Sequence, residues 1–144
     1  MSQTLLRVGT TYLPVTNVQR SATWYTENLG AMLNYMDEDK AILDLADQSF
    51  FLVAASEGQT SNFIDEKGDE RFSLTFEVDG VQALEKLHQE FKERHILVGE
   101  IEDRGHAGKN FVFSDPDGNQ FDVWSELSPK FKKRGSENAS ITSD

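Results

Sequence analysis

The chain contains no cysteine, only three prolines and only three histidines among its 144 residues. Without cysteine there are no disulfides, zinc-thiolate sites, iron–sulfur clusters or thiol nucleophiles. No apolar run approaches the roughly 20 residues that span a bilayer. The first ten residues carry one Arg and no apolar block ending in small residues, so no signal peptide is read there. Basic residues are scarce as well. Lys plus Arg number 14 against 25 Asp plus Glu, for a formal net charge of −11. Nucleic acid and anionic lipid both call for a basic face, so neither is an expected partner. These shortages leave a cytoplasmic protein of one domain, long enough to bury a core. What it has in plenty is Phe, ten copies.

Residues 130–144 differ from the rest. Lys130, Lys132, Lys133 and Arg134 precede a polar run with too little apolar content to fold alone, so a disordered polar tail is expected. Without it, residues 1–129 hold 10 basic and 23 acidic side chains, a net of −13. The sequon Asn138-Ala139-Ser140 carries no weight without a secretion signal.

Residues 1–129 read as mixed α and β. Val8–Thr16 is strand-like. Val18, Ala22, Tyr25 and Leu29 make one helical face over Asn17–Leu29, with Gly30 as its stop. Strands are expected at Ala31–Met36, Ala41–Leu45 and Phe50–Ala54. Glu57–Gly68 reads as a linker. The order then repeats: a strand over Arg71–Val78, a helix near 80–94, and strands at Ile96–Ile101, Asn110–Ser114 and Asn119–Glu126. The closing hairpins superimpose with Ile42–Asp47 on Val112–Asp117 and Phe50-Phe51-Leu52 on Gln120-Phe121-Asp122. The chain is therefore two β-α-β-β-β modules, about 6–56 and 70–127, joined by a linker at about 57–69.

Within that order, Phe111–Val123 (FVFSDPDGNQFDV) resembles the signature end of the vicinal oxygen chelate superfamily, the glyoxalase, bleomycin-resistance and extradiol-dioxygenase group. Leu13–Val18, Ser21, Trp24-Tyr25 and Leu29-Gly30 resemble its opening strand and helix, and Phe76–Val81 the opening of its second module. The resemblance implies an α+β fold in which the paired modules form a U-shaped, partly open barrel. It also implies a cup for a small organic ligand, and often a homodimer.

Metalloenzymes of that group place four ligands, usually His and Glu, on strands facing the cup. Carried over, these positions fall on Thr10, Ser73, Asp122 and either Leu52 or Val53. Hydroxyls are poor ligands for such ions and aliphatic side chains cannot bind them. No cofactor is therefore expected, and every metal-dependent activity of the group is in question. A divalent metal would need a shifted site built from Asp122, Glu126 and His106. His88 and His95 read as ordinary helix-side residues.

Alternate strand residues share a face. From the carried-over positions, the cup is expected to hold Tyr12, Phe50 and Trp124 as walls. Thr10, Ser73, Thr75, Gln120 and Asp122 would be polar contacts, with His106 at the rim. Phe51, Val53, Phe121 and Val123 would face the helices. Apolar walls with sparse polar groups suit a small molecule. Asp122, Glu126 and Glu77 favour a cationic or aromatic one. The leading expectation is a binding protein in the bleomycin-resistance manner. The alternative is a divalent-metal lyase, isomerase or dioxygenase of the same group. No Ser-His-Asp set or phosphate loop is present. Gly105-His106-Ala107-Gly108 lies between strands rather than before a helix.

Overall fold

The computed structural model describes residues 4–132. The Asn138 sequon and most of the expected tail lie outside the described residues, and 129–132 form a helical turn. The chain packs as two units. The first runs to Ser73 and also takes Ser114–Gln120, while the second comprises Leu74–Phe113 and the chain from Phe121 onward.

In the first unit, β1 (Thr10–Val15), α1 (Val18–Leu29), β2 (Met32–Met36), β3 (Lys40–Leu45) and β4 (Gln48–Ala54) follow in order. The sheet order is β1-β4-β3-β2, with β1 and β4 parallel and the hairpin pairs antiparallel. Local chemistry sets the helix ends. Asn17 is extended at φ −139° and its side chain accepts the Arg20 N–H at 2.9 Å, an N-cap. Gly30 closes the helix in the left-handed region at φ 71°, where a Cβ would be strained. Val18, Ser21, Ala22 and Tyr25 form the buried stripe, and α1 packs on β2, β3 and β4. The turn between β3 and β4 is only Ala46-Asp47. Both residues have positive φ, 50° and 67°, as in the type I′ turn that suits a twisted hairpin.

The expected linker contains a small hairpin, β5 (Phe63–Ile64) with β6 (Glu70–Arg71). Asp65 nucleates its turn by accepting the N–H groups of Lys67 and Asp69 at 2.9 and 3.0 Å. The strand expected over Arg71–Val78 is consequently split, its first residue pairing in β6.

The second unit holds β7 (Thr75–Glu77), α2 (Val81–Glu93), β8 (Asn110–Ser114) and β9 (Gln120–Trp124), ordered β7-β9-β8. β8 and β9 each give one turn-side residue, Ser114 and Gln120, to the first unit. The strand expected at Ile96–Ile101 is reduced to isolated bridges, Val98 to Phe113 and Glu102 to Asn110. Here the abundant Phe finds its place. Phe91 of α2 stands edge-on to Phe113 at 4.9 Å, and Phe113 packs on Phe121 at 5.3 Å. Both units are thus α+β, and each sheet is open-ended.

Candidate functional site

The Asp115–Asn119 turn belongs to the first unit and is a structural device. Asp115 Oδ1 accepts the N–H groups of Asp117 and Asn119, both at 2.9 Å. Asp115 Oδ2 accepts the Tyr25 hydroxyl at 2.6 Å and the Asn119 side-chain amide at 2.8 Å. Burial pushes the Asp115 carboxyl up despite these donors. Burial, then the Asp115 charge, pushes the Tyr25 phenol well up. Asp117 Oδ1 accepts the Thr16 hydroxyl at 2.7 Å and pairs with Arg20 at 3.2 Å. Asn62 holds the turn from the linker side, donating to Gly118 O at 2.8 Å and accepting the Gln120 N–H at 2.9 Å. Gln120 is therefore placed by its backbone.

On the first sheet, cross-strand partners share a face. Tyr12 pairs with Phe51, Phe51 with Ile42, and Ile42 with Tyr35. The Tyr12 and Phe51 rings lie 5.0 Å apart, and Tyr12 is 63% exposed. Phe50, expected beside Tyr12, is 1% exposed and buried together with Leu52. Phe51 takes the expected position instead, and Phe51 and Val53 exchange faces with Phe50 and Leu52. The cause is turn length. Two residues join β3 to β4, whereas five, Asp115–Asn119, join β8 to β9. The difference of three is odd, so one offset applied along both strands of the hairpin puts one of them out of phase, which inverts every side chain. The strand registers give the corrected match. Tyr12 opposite Phe51 corresponds to Thr75 opposite Asp122. Thr10 begins β1, and Ser73 lies exposed in the bend before β7.

Two open grooves of this unit, about 510 and 710 Å³, share Thr16. Asn17, Asp37 and Glu38 help to line the first, Arg20, Glu57 and Asp117 the second. Neither includes a residue expected in the cup.

The second unit does gather expected site residues. Thr75 donates to Asp122 Oδ2 at 3.1 Å, and Trp124 follows two residues along β9. The Trp124 indole N–H donates to Ala107 O at 2.9 Å, and the His106 ring stands edge-on to Trp124 at 5.9 Å. His106 Nδ1–H donates to Ala107 O at 2.9 Å. Gly108 permits this closure. Its φ is +75°, and a Cβ there would meet Ser125 Oγ at 2.5 Å and Glu126 Cγ at 2.8 Å. His88 lies elsewhere, donating Nε2–H to Gly99 O at 2.8 Å with its ring against Phe111. His95 sits past the end of α2 with φ 60°.

Three further residues complete this cluster. The Arg104 guanidinium lies 3.1 Å from Asp122 Oδ1. Its Nε and one terminal nitrogen also donate to Glu102 Oε2 at 3.0 and 2.7 Å. Asn110 Nδ2 donates to Asp122 Oδ2 at 2.9 Å. The Asp122 side chain is 3% exposed, so these neighbours take the place of water around it. In sequence the signal was a lone Arg following Glu100, Glu102 and Asp103.

This donor set is a poor match for a divalent ion. The carried-over positions supply two hydroxyls and, in either register, an apolar residue. The one carboxylate already carries a guanidinium. Among the described residues, no group of three or more His, Asp or Glu is placed to hold a metal. None of their helices is long and apolar enough to cross a membrane.

Comparison with known proteins agrees with this geometry at the level of the fold. No curated protein matches. Lactoylglutathione lyase from Agrobacterium tumefaciens superimposes with TM-score 0.66 at 16% identity, covering 85% of this chain and 95% of its own. A fosfomycin resistance protein from Listeria monocytogenes, in complex with Mn(II) and sulfate, does so with TM-score 0.68 at 12% identity, covering 92% and 98%. A glyoxylase/bleomycin resistance protein/dioxygenase domain from Frankia sp. EAN1pec reaches TM-score 0.67 at 20% identity, covering 86% and 100%. The sequence model of one superfamily matches residues 7–123, nearly the whole described chain, and this protein therefore belongs to the Glyoxalase/Bleomycin resistance protein/Dioxygenase superfamily.

Proposed function

We propose that this protein binds a small aromatic or cationic organic molecule and does so without the divalent metal of the superfamily's metalloenzymes. One observation carries the reading: Asp122, the only carboxylate at a carried-over ligand position, is paired with Arg104 and hydrogen-bonded by Thr75 and Asn110. A cation already there raises the energy of a second one. Within the second unit, Trp124 on the strand face of Asp122 supplies aromatic surface for a ligand. The acidic excess of the chain favours positive charge on it. Assembly as a homodimer belongs to the same reading. The edge strand β2 exposes Met32, Leu33, Tyr35 and Met36, which a second copy would cover.

The test is metal analysis of protein purified without chelator, alongside a thermal-shift screen of aromatic and cationic metabolites. Substoichiometric metal and a stabilising ligand are expected. Stoichiometric Zn, Ni, Mn or Fe that is lost in Asp122→Ala would restore the rival reading, a metal-dependent lyase, isomerase or dioxygenase. Light scattering on the same samples gives the oligomeric state.

A further inference from the structure

We infer that the Asp122 cluster is a binding site for an organic guanidinium or amidinium, and that Arg104 is its internal occupant, displaced when the ligand arrives. This rests on the small-molecule reading above and specifies its ligand and its regulation.

The cluster already shows what it recognises. A planar guanidinium spans two carboxylates, 3.1 Å from Asp122 Oδ1 and 2.7 to 3.0 Å from Glu102 Oε2. Planar forked N–H groups match carboxylates in a way that a point charge does not. With Arg104 counted, Asp122 and Glu102 still leave one net negative charge. Acceptors also exceed donors. Asn110 is 3% exposed and spends its amide N–H on Asp122, while its Oδ1 is buried without a partner. A buried acceptor left unpaired costs free energy that a ligand N–H would recover. Trp124, two residues from Asp122 on the same strand face, is fixed by its bond to Ala107 O and offers an aromatic surface to a cation.

Arg104 is also the member best able to leave. It belongs to the turn between Glu102 and Asn110, where Asp103–Ala107 are all exposed. Asp122, Thr75 and Asn110 stand on paired strands or a bridge. A ligand bearing the same group would exchange with Arg104 at little cost in charge pairing. The intramolecular side chain sets the threshold concentration, because the ligand must outcompete a tethered rival.

The experiment is calorimetric titration of the full chain with benzamidine, and with neutral benzamide and anionic benzoate as controls. Wild type is expected to bind benzamidine weakly. Arg104→Ala and Arg104→Gln should each bind it about tenfold more tightly or better, and Asp122→Asn not measurably. Thermal melts identify which variants are folded, and Arg104→Gln keeps donors for Glu102 should the alanine variant melt low. The proposal is overturned if folded Arg104 variants bind benzamidine no more tightly than wild type. It is equally overturned if benzoate and benzamide gain as much, since vacated space alone would then explain the change. Binding of benzamide or benzoate to every chain with no benzamidine gain overturns the internal occupant and leaves the small-molecule reading standing. Failure of all three probes on all folded chains counts against both.

Discussion

The Tyr25 hydroxyl donates to Asp115 Oδ2 at 2.6 Å across 90 residues of sequence, inside the first unit. Tyr25 is fully buried and its partner nearly so. Replacing it with Phe removes a hydrogen bond to a buried carboxyl and leaves that carboxyl with one donor fewer. Tyr25→Phe is expected to destabilise the protein by about 1–3 kcal/mol, read from the denaturant midpoint at unchanged slope.

The same pair sets an alkaline limit. The folded Tyr25 phenol is held well above its ordinary value of 10.0, while the unfolded chain ionises it there. As pH rises past that value, the unfolded state gives up a proton that the folded state keeps, so stability falls with pH. Tyr25→Phe should flatten that alkaline limb of the stability–pH curve, although it lowers the curve at neutral pH. Asp115 acts with the same sign in acid. Its folded carboxyl titrates above 3.8, so its contribution declines as pH rises through the window just above that value.

Asn119 is fully buried and serves three partners. It donates to Pro14 O at 3.0 Å and Asp115 Oδ2 at 2.8 Å, and accepts the Ser61 N–H at 2.8 Å. Asn119→Ala removes all three bonds, although Asp115 Oδ2 keeps the Tyr25 hydroxyl. A loss of about 2–4 kcal/mol is expected by chemical denaturation, larger than that of Tyr25→Phe.

Gly108 controls the loop over Trp124. Gly108→Ala combines a positive φ with a Cβ that would lie 3.0 Å from the Trp124 indole nitrogen. A cost of about 1–3 kcal/mol is expected. Loss of the Trp124-to-Ala107 bond should appear as a shifted indole N–H resonance, while the amides of α1 stay in place.

Added Mn(II) or Zn(II) should leave the melting temperature of the wild-type protein unchanged at concentrations near 1 mM, since an ion bound a hundredfold above its Kd would contribute about 2.7 kcal/mol. A chelator should be equally without effect on thermal unfolding.

Much of the fold was legible because its cues are local. Asn17 and Gly30 mark both ends of α1 by the conformations that they accept, and the Asp115–Gly118 turn declares itself by composition. The faces of β4 were not legible. Phe50-Phe51-Leu52-Val53 is apolar throughout, so no alternation tells which side is which, and only the two-residue turn at Ala46-Asp47 decides. The strand after α2 was overestimated because β propensity in Ile96–Ile101 is not matched by continuous pairing. In the Asp122 cluster, Asp122 was singled out through the family resemblance, Thr75 and Trp124 by alternation from carried-over positions, and His106 by its loop; what the structure adds is that they lie together. Arg104 and Asn110 were missed because their importance comes from a bridge that joins 102 to 110, and no periodicity encodes it.

The Asp115–Asn119 turn has a consequence for synthesis on the ribosome. Its partners Pro14, Thr16, Arg20 and Tyr25 are made well before it, and the turn is separated from them by 90 to 105 positions. A nascent chain that has emerged as far as residue 110 possesses every strand of the first sheet, yet Tyr25 still has no carboxylate and Arg20 no counter-charge. The first unit therefore stays unfinished until most of the second has been made, and contacts of this range slow folding. Until the signature turn arrives, the amino-terminal sheet lacks its last buried hydrogen bonds, and incompletely packed chains of this kind are prone to aggregate.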